Sequence, residues 1–155
     1  MLLRGLAPLV ALPLLLVNDC SNPEGELDAA RARWNAAGIE SYDISGSVSC
    51  ECIPLGVWTL HVRDGVRAGV TVDSTAVSDF LDLEELVSHS TAQSKSVAEL
   101  FELAERGIQE GERHHLEFDE ALGYPTRVFV DWILGVADEE TSYRIVDLAP
   151  VSGER

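Results

Sequence analysis

Three cysteines, four histidines and one acidic loop are the residues of this 155-residue chain whose types and spacing could do chemistry. Cys50 and Cys52 stand two apart in "SCECIP", residues 49–54. In an extended strand that spacing puts their Cα atoms about 6.6 Å apart, near the upper limit for a disulfide. Pro54 ends regular pairing and leaves room for the bulge such a bond requires. The closed loop is tiny, so the chain-entropy gain is about 1.5 kcal/mol and the strained link is readily reduced. We read Cys50 and Cys52 as a local structural disulfide, with two buried free thiols, a redox pair or a metal site as the alternatives. A thiol–disulfide enzyme usually spaces its cysteines by two residues at a helix start, where the helix end stabilises the thiolate. Here Glu51 lies between them and opposes it. A zinc site needs two further ligands, and the sequence has no second cysteine pair.

His114 and His115 are neighbours in a predicted strand, so their side chains leave on opposite faces and cannot readily chelate one ion. Asp131, Asp138, Glu139 and Glu140 could converge on the loop between the last two strands, and calcium takes several such oxygens. The spacing matches no EF-hand, and Ile133, Leu134 and Val136 interrupt it, so a solvated acidic turn is the plainer reading. Tyr124, in "GYP", is a shaped-turn residue that packs or, failing that, binds. No nucleophile elbow, Walker loop or dinucleotide fingerprint occurs, and no serine has an evident base and orienter from spacing. No catalytic, cofactor-binding or metal residue is therefore assigned.

The elements that must position these residues are legible in part. Leu27, Ala30, Trp34 and Ala37 form one helical stripe that Gly38 stops. From Tyr42 to Cys52 the even positions (Tyr42, Ile44, Gly46, Val48, Cys50, Cys52) alternate strictly with polar odd ones, which predicts a strand with one buried face. "VWTLHVRDGVRAGVTV" predicts a hairpin. A three-residue loop, Arg63 to Gly65, pairs Val62 with Val66, Leu60 with Ala68 and Trp58 with Val70, keeping the apolar residues on one face with His61 opposite Arg67. A two-residue Asp64-Gly65 turn mixes the faces. "SDFLDLEELV" has a short helical look through Phe80, Leu83 and Leu86, and "SHSTAQSKS" reads as loop. Ser96 and Glu99 make a capping box for a helix whose stripe is Val97, Leu100, Phe101, Ala104 and Ile108, ending at Gly111. "RHHLEFD", "TRVFVDW" and "TSYRIVDL" are the last strands. The expected fold class is α+β: a mainly antiparallel sheet with helices packed on one face, in the order helix, three strands, helix, three strands.

Net charge is −16, from 11 Lys and Arg against 27 Asp and Glu. That excludes nucleic acid as a partner and disfavours anionic lipid surfaces. "MLLRG" followed by the apolar run Leu6 to Val17 suits an export signal and is too short to span a bilayer comfortably. Cys20 follows, as in a bacterial lipoprotein signal, although Asn18 and Asp19 stand where small residues are usual. The expected organisation is a lipoprotein-like signal at 1–19, a tether at 20–26, one α+β domain at 27–150 and a tail at 151–155. Cys20 is the expected lipid anchor.

Trp34 and Tyr42, "SCECIP", "VRDGV" at 62–66, "SVAELFEL" at 96–103, "LEFDEALGYPTRVFVDW" at 116–132 and "ADEETSYRIVDL" at 137–148 together resemble a bacterial family known only as domain of unknown function 6174. The resemblance covers nearly the whole mature chain and implies an exported, membrane-tethered domain. It implies no activity. The expected function is a non-enzymatic binding module of the cell envelope, monomeric, without cofactor, touching the membrane through its N-terminal lipid alone. Its partner is another envelope protein or a small ligand. The alternative is a thiol–disulfide or metal-dependent envelope enzyme using Cys50 and Cys52 or the acidic loop 131–140.

Overall fold

The computed structural model describes residues 22–49, 56–72, 83–136 and 139–151. Its elements run α1 (Pro23–Ala37), β1 (Tyr42–Ser49), β2 (Trp58–Arg63), β3 (Val66–Val72), α2 (Leu83–Gln93), α3 (Val97–Glu110), β4 (Arg113–Phe118), β5 (Pro125–Asp131) and β6 (Glu140–Pro150). The six strands form one antiparallel sheet in the order β3-β2-β1-β6-β5-β4. The fold is α+β, as expected, but two helices, not one, separate the strand triplets. The difference lies in "SHSTAQ", which reads as loop because Ser, Thr and His are poor helix formers. Tertiary packing overrides that preference: Leu86 and Ser90, one turn apart, are both buried in α2.

α1 also begins earlier than its apolar stripe suggests. The Asn22 side chain accepts from the Gly25 N–H at 3.2 Å, and Pro23 occupies the first turn, where its missing N–H costs nothing. Residues 23–26, expected as tether, are therefore helix. Gly38, with φ of 60°, ends it in the left-handed conformation. α3 carries the full capping box: Ser96 Oγ accepts from the Glu99 N–H at 3.3 Å, and the Glu99 carboxylate accepts from the Ser96 N–H at 2.7 Å.

The β2–β3 hairpin departs from the expected register. The turn is two residues, Asp64 with φ of 50° and Gly65 with φ of 74°, the pairing that suits right-twisted strands. It sets Val62 opposite Arg67, and Leu60 pairs with Val70 and Trp58 with Val72. The mixed faces predicted for this turn are resolved by a bulge: Ala68 is an extra residue between Arg67 and Gly69. The bulge turns Arg67 to the face of Val62 and away from His61, so the expected His61–Arg67 contact does not form. Arg67 instead reaches the end of α2, donating to Thr91 O at 2.7 Å, Ser94 O at 3.0 Å and Ser94 Oγ at 2.8 Å. It also pairs with Glu99 at 3.0 Å.

The core lies between the helices and one sheet face. Ile44, Trp58, Leu60, Val62, Val128, Val130, Tyr143 and Ile145 supply the strands, and Val97, Leu100, Phe101 and Ala104 supply α3. Gly107 lets α3 approach β5, since a Cβ there would lie 2.5 Å from Val130 Cγ2. Tyr42 Oη accepts from the Val97 N–H at 3.1 Å, and Tyr143 Oη donates to Gln93 O at 2.9 Å, fastening the sheet to the α2–α3 junction. α1 covers α3 antiparallel to it, with Leu27 and Asp28 beside Ile108 and Trp34 beside Phe101.

Candidate functional site

Alternation along β1, β2 and β3 sends a second set of residues to the face opposite the helices. These are Asp43, Ser45 and Ser47 on β1, Thr59, His61 and Arg63 on β2, and Gly69 and Thr71 on β3. No helix among the described residues covers them. The register places Asp43 opposite His61, Ser45 opposite Thr59 and Thr59 opposite Thr71. His61 stands across from Gly69, where no side chain occupies the space, so its ring can lean to the diagonal neighbour Thr71. The Ala68 bulge is what puts Gly69 and Thr71 on this face.

The centre of the cluster is a carboxylate gripped from two sides. Asp43 Oδ1 lies 2.9 Å from His61 Nδ1 and 2.7 Å from Arg63 Nη1. Arg63, and then His61, hold the Asp43 carboxyl below its ordinary range, so it stays ionised. An ionised carboxylate only accepts, so the proton of a neutral His61 sits on Nδ1 and Nε2 is left as an acceptor. Thr71 Oγ1 lies 3.4 Å from that Nε2. Beside this chain, Ser45 Oγ and Thr59 Oγ1 share a hydrogen bond of 2.8 Å. The arrangement is a flat patch of donors and acceptors that can pair with a polar partner, and it contains one oriented imidazole whose Nε2 faces the Thr71 hydroxyl.

Across β6 the same face continues onto β5 and β4. Arg127 and Glu117 stand opposite one another and approach to 3.5 Å, and His115 Nε2 meets Glu117 Oε1 at 2.8 Å. The His115 contact holds the Glu117 carboxyl below its ordinary range. His115 is exposed on this face, and His114 is half-buried on the other, as their alternation required.

The loop candidate for calcium fares differently. Asp131 is buried, 5% of its side chain exposed, and is tied to Arg113 Nη2 at 3.0 Å. Its charge already has a partner. Glu139 and Glu140 are exposed, and Asp138 lies outside the described residues. Among the described residues no three His, Cys, Asp or Glu side chains come together to hold a metal ion. Tyr124 packs edge-on against Trp34, ring centroids 6.2 Å apart. Cys20, Cys50 and Cys52 lie outside the described residues, as do residues 1–19, the expected signal.

Sequence reading missed the Asp43–His61–Thr71 chain because its members come from three strands. The pairing of Asp43 with His61 was latent in the strand alternation, which put both on polar faces. The Thr71 contact depends on a bulge with no sequence mark.

The fold and patch define an α+β domain in which the described helices cover one sheet face and leave the other open. The chain belongs to the family of unknown function DUF6174, whose model matches residues 26–150. No curated protein and no solved structure matches it.

Proposed function

We propose that this chain is an exported, lipid-tethered cell-envelope protein that acts as a binding module, with the open face of β1–β3 as its recognition surface for another envelope protein. The observation that carries this reading is the hydrogen-bonding patch of Asp43, Ser45, Thr59, His61, Arg63 and Thr71, which the described helices leave uncovered. Ordered, half-exposed polar groups on a rigid sheet lose little entropy on binding and give a partner fixed points to match. The apolar run before Cys20 supports export and tethering.

The test is affinity capture from native envelope with the full chain, in parallel with Asp43→Asn, Thr59→Arg and, on the outer face of α3, Glu102→Gln. One defined partner, kept by Glu102→Gln and lost by the two sheet variants, is the expected result. Equal capture by all three, or none by any, would remove the reading. Intact mass of the mature protein, before and after reduction and thiol alkylation, tests Cys20 acylation and a Cys50–Cys52 bond directly.

One observation favours a second, enzymatic reading, and it does not use the cysteines or the acidic loop. A carboxylate-oriented imidazole beside a hydroxyl is the arrangement of a general base and its proton donor. Turnover of p-nitrophenyl acetate that vanishes in both His61→Gln and Thr71→Val would support it. A rate indistinguishable from buffer would dismiss it.

A further inference from the structure

Among the described residues, three of the seven large apolar side chains that stand exposed belong to one hairpin tip: Ile133 at 48%, Leu134 at 55% and Val136 at 44%. The tip joins β5 to β6 and is held in shape. Leu134 N–H donates to Glu112 Oε2 at 3.1 Å, Val136 N–H donates to Ile133 O at 3.2 Å, and Gly135 turns the chain with φ of 82°. Trp132, at its base, is half-buried under the Arg106 guanidinium, 4.8 Å from the ring centroid, with Nε1 directed to Thr141 Oγ1 at 3.4 Å. A fixed knob of adjacent apolar side chains on a chain this acidic marks an interaction surface.

The position of the knob names its occupant. α1 runs antiparallel to α3, so its first turn lies at the C-terminal end of α3: Glu24, Leu27 and Asp28 share a cleft with Glu105, Ile108 and Gln109. That same end of α3 holds the tip, through Arg106 on Trp132 and Glu112 on Leu134. The start of α1 and the apolar tip therefore occupy one pole of the domain. The Asp64-Gly65 turn and the end of α1 occupy the other, joined by the Gly65 N–H to Glu40 O bond at 2.8 Å. Cys20 is two residues before Asn22, so its Cα, the attachment point of whatever it carries, lies within about 7 Å of the helix cap by chain length alone. A domain anchored there turns this pole toward the bilayer.

We propose that the tip, Trp132 to Val136, seats in the interfacial zone of the bilayer beside the N-terminal lipid, an inference that rests on the lipid-tethered reading above. Trp132 and Arg106 suit the headgroup level, and Ile133 and Leu134 enter the acyl boundary. The exposed carboxylates Glu112, Glu139 and Glu140 keep insertion shallow and favour zwitterionic over anionic lipid. Membrane contact is thus made at two points, not through the lipid alone, and the second point stops the domain from rotating about its tether.

The test places the full mature protein, with whatever Cys20 carries, on phosphatidylcholine vesicles with and without brominated acyl chains. Trp132 is the reporter, since Trp58 is buried in the core and Trp34 packs on Tyr42 at the far pole. Quenching that disappears in Trp132→Phe, and is relieved in Ile133→Ser/Leu134→Ser, is the expected result. For unacylated protein the same double change lowers vesicle binding by roughly tenfold or more. An acylated Cys20 with no quenching of Trp132 would overturn the tip and leave the tether. Quenching with an unacylated Cys20 would keep the tip and overturn the tether. If Trp132 is unquenched and Leu134→Ser splits a dimer in sedimentation, a second copy covers the tip and the proposal falls.

Discussion

The phenolic oxygen of Tyr42 accepts a hydrogen bond from the backbone N–H of Val97, 3.1 Å away, joining the first strand to the first turn of α3. Val97 is wholly buried, so that N–H has no access to water. Tyr42→Phe keeps the ring and its edge-on contact with Trp34 but leaves the donor unsatisfied. The expected cost is about 1–3 kcal/mol, read as a lower urea midpoint with an unchanged slope.

Arg67 is a further fastener of the same junction, beside Tyr42 and Tyr143. Its guanidinium serves Thr91 O, Ser94 O, Ser94 Oγ and the Glu99 carboxylate at once. Arg67→Ala is expected to cost about 1–2 kcal/mol and to speed amide exchange in the last turn of α2. Arg67→Lys recovers less than half of that, because an ammonium cannot span acceptors arranged for a planar fork.

Two glycines separate backbone strain from crowding. Gly65 and Gly123 both have positive φ, at 74° and 83°. A Cβ at Gly65 meets nothing within 4 Å, whereas one at Gly123 lies 2.2 Å from Ala30 O. Gly65→Ala is expected to cost about 1–2 kcal/mol, from conformation alone. Gly123→Ala should cost at least about 2 kcal/mol more, since α1 must move off the β4–β5 turn. Thermal denaturation of the two variants side by side checks the difference.

Acid should loosen the domain through two carboxylates. Burial pushes Glu99 up, but the Ser96 hydrogen bonds and the Arg67 charge bring it below its ordinary 4.5. Arg63 and His61 hold Asp43 below 3.8. A depressed folded value adds stability above the unfolded value, and that stability is lost as pH falls through the folded one. The contribution of both groups is thus present at neutral pH and declines below about pH 4.5. Urea midpoints measured from about pH 7 down to about pH 3 should fall less steeply for Glu99→Gln than for the natural chain, from a lower start.

How much of this could be read from residues depends on whether one segment carried the signal. β1 and α3 were legible because alternation and the Ser96–Glu99 box are local. α2 was legible only at its start, where Leu83 and Leu86 looked helical; its second half is helical through burial of Leu86 and Ser90 and not through the preferences of "SHSTAQ". The β2–β3 register failed for a sharper reason. The Asp64-Gly65 turn and the alternation of faces conflict over seven residues, and the fold satisfies both by adding Ala68 as a bulge. The same bulge completes the Asp43–His61–Thr71 chain, so one unread residue hid both the register and the patch. Asp131 was read as part of a solvated acidic turn, and its burial was missed because its partner, Arg113, is eighteen positions away across a hairpin.

The middle of the sheet is a pairing of the first strand with the last. β1 meets β6 along its whole length, from Tyr42 opposite Pro150 to Ser49 opposite Ser142. Each half of the chain can form its own three-stranded meander, but β1 has a bare edge until residue 150 exists. Closing that loop comes late and costs the most chain entropy of any step. During synthesis β1 therefore keeps a bare edge until β6 has been made. If the chain is exported as proposed, this order of events leaves the sheet unlocked until β6, the last of its described strands, is in place.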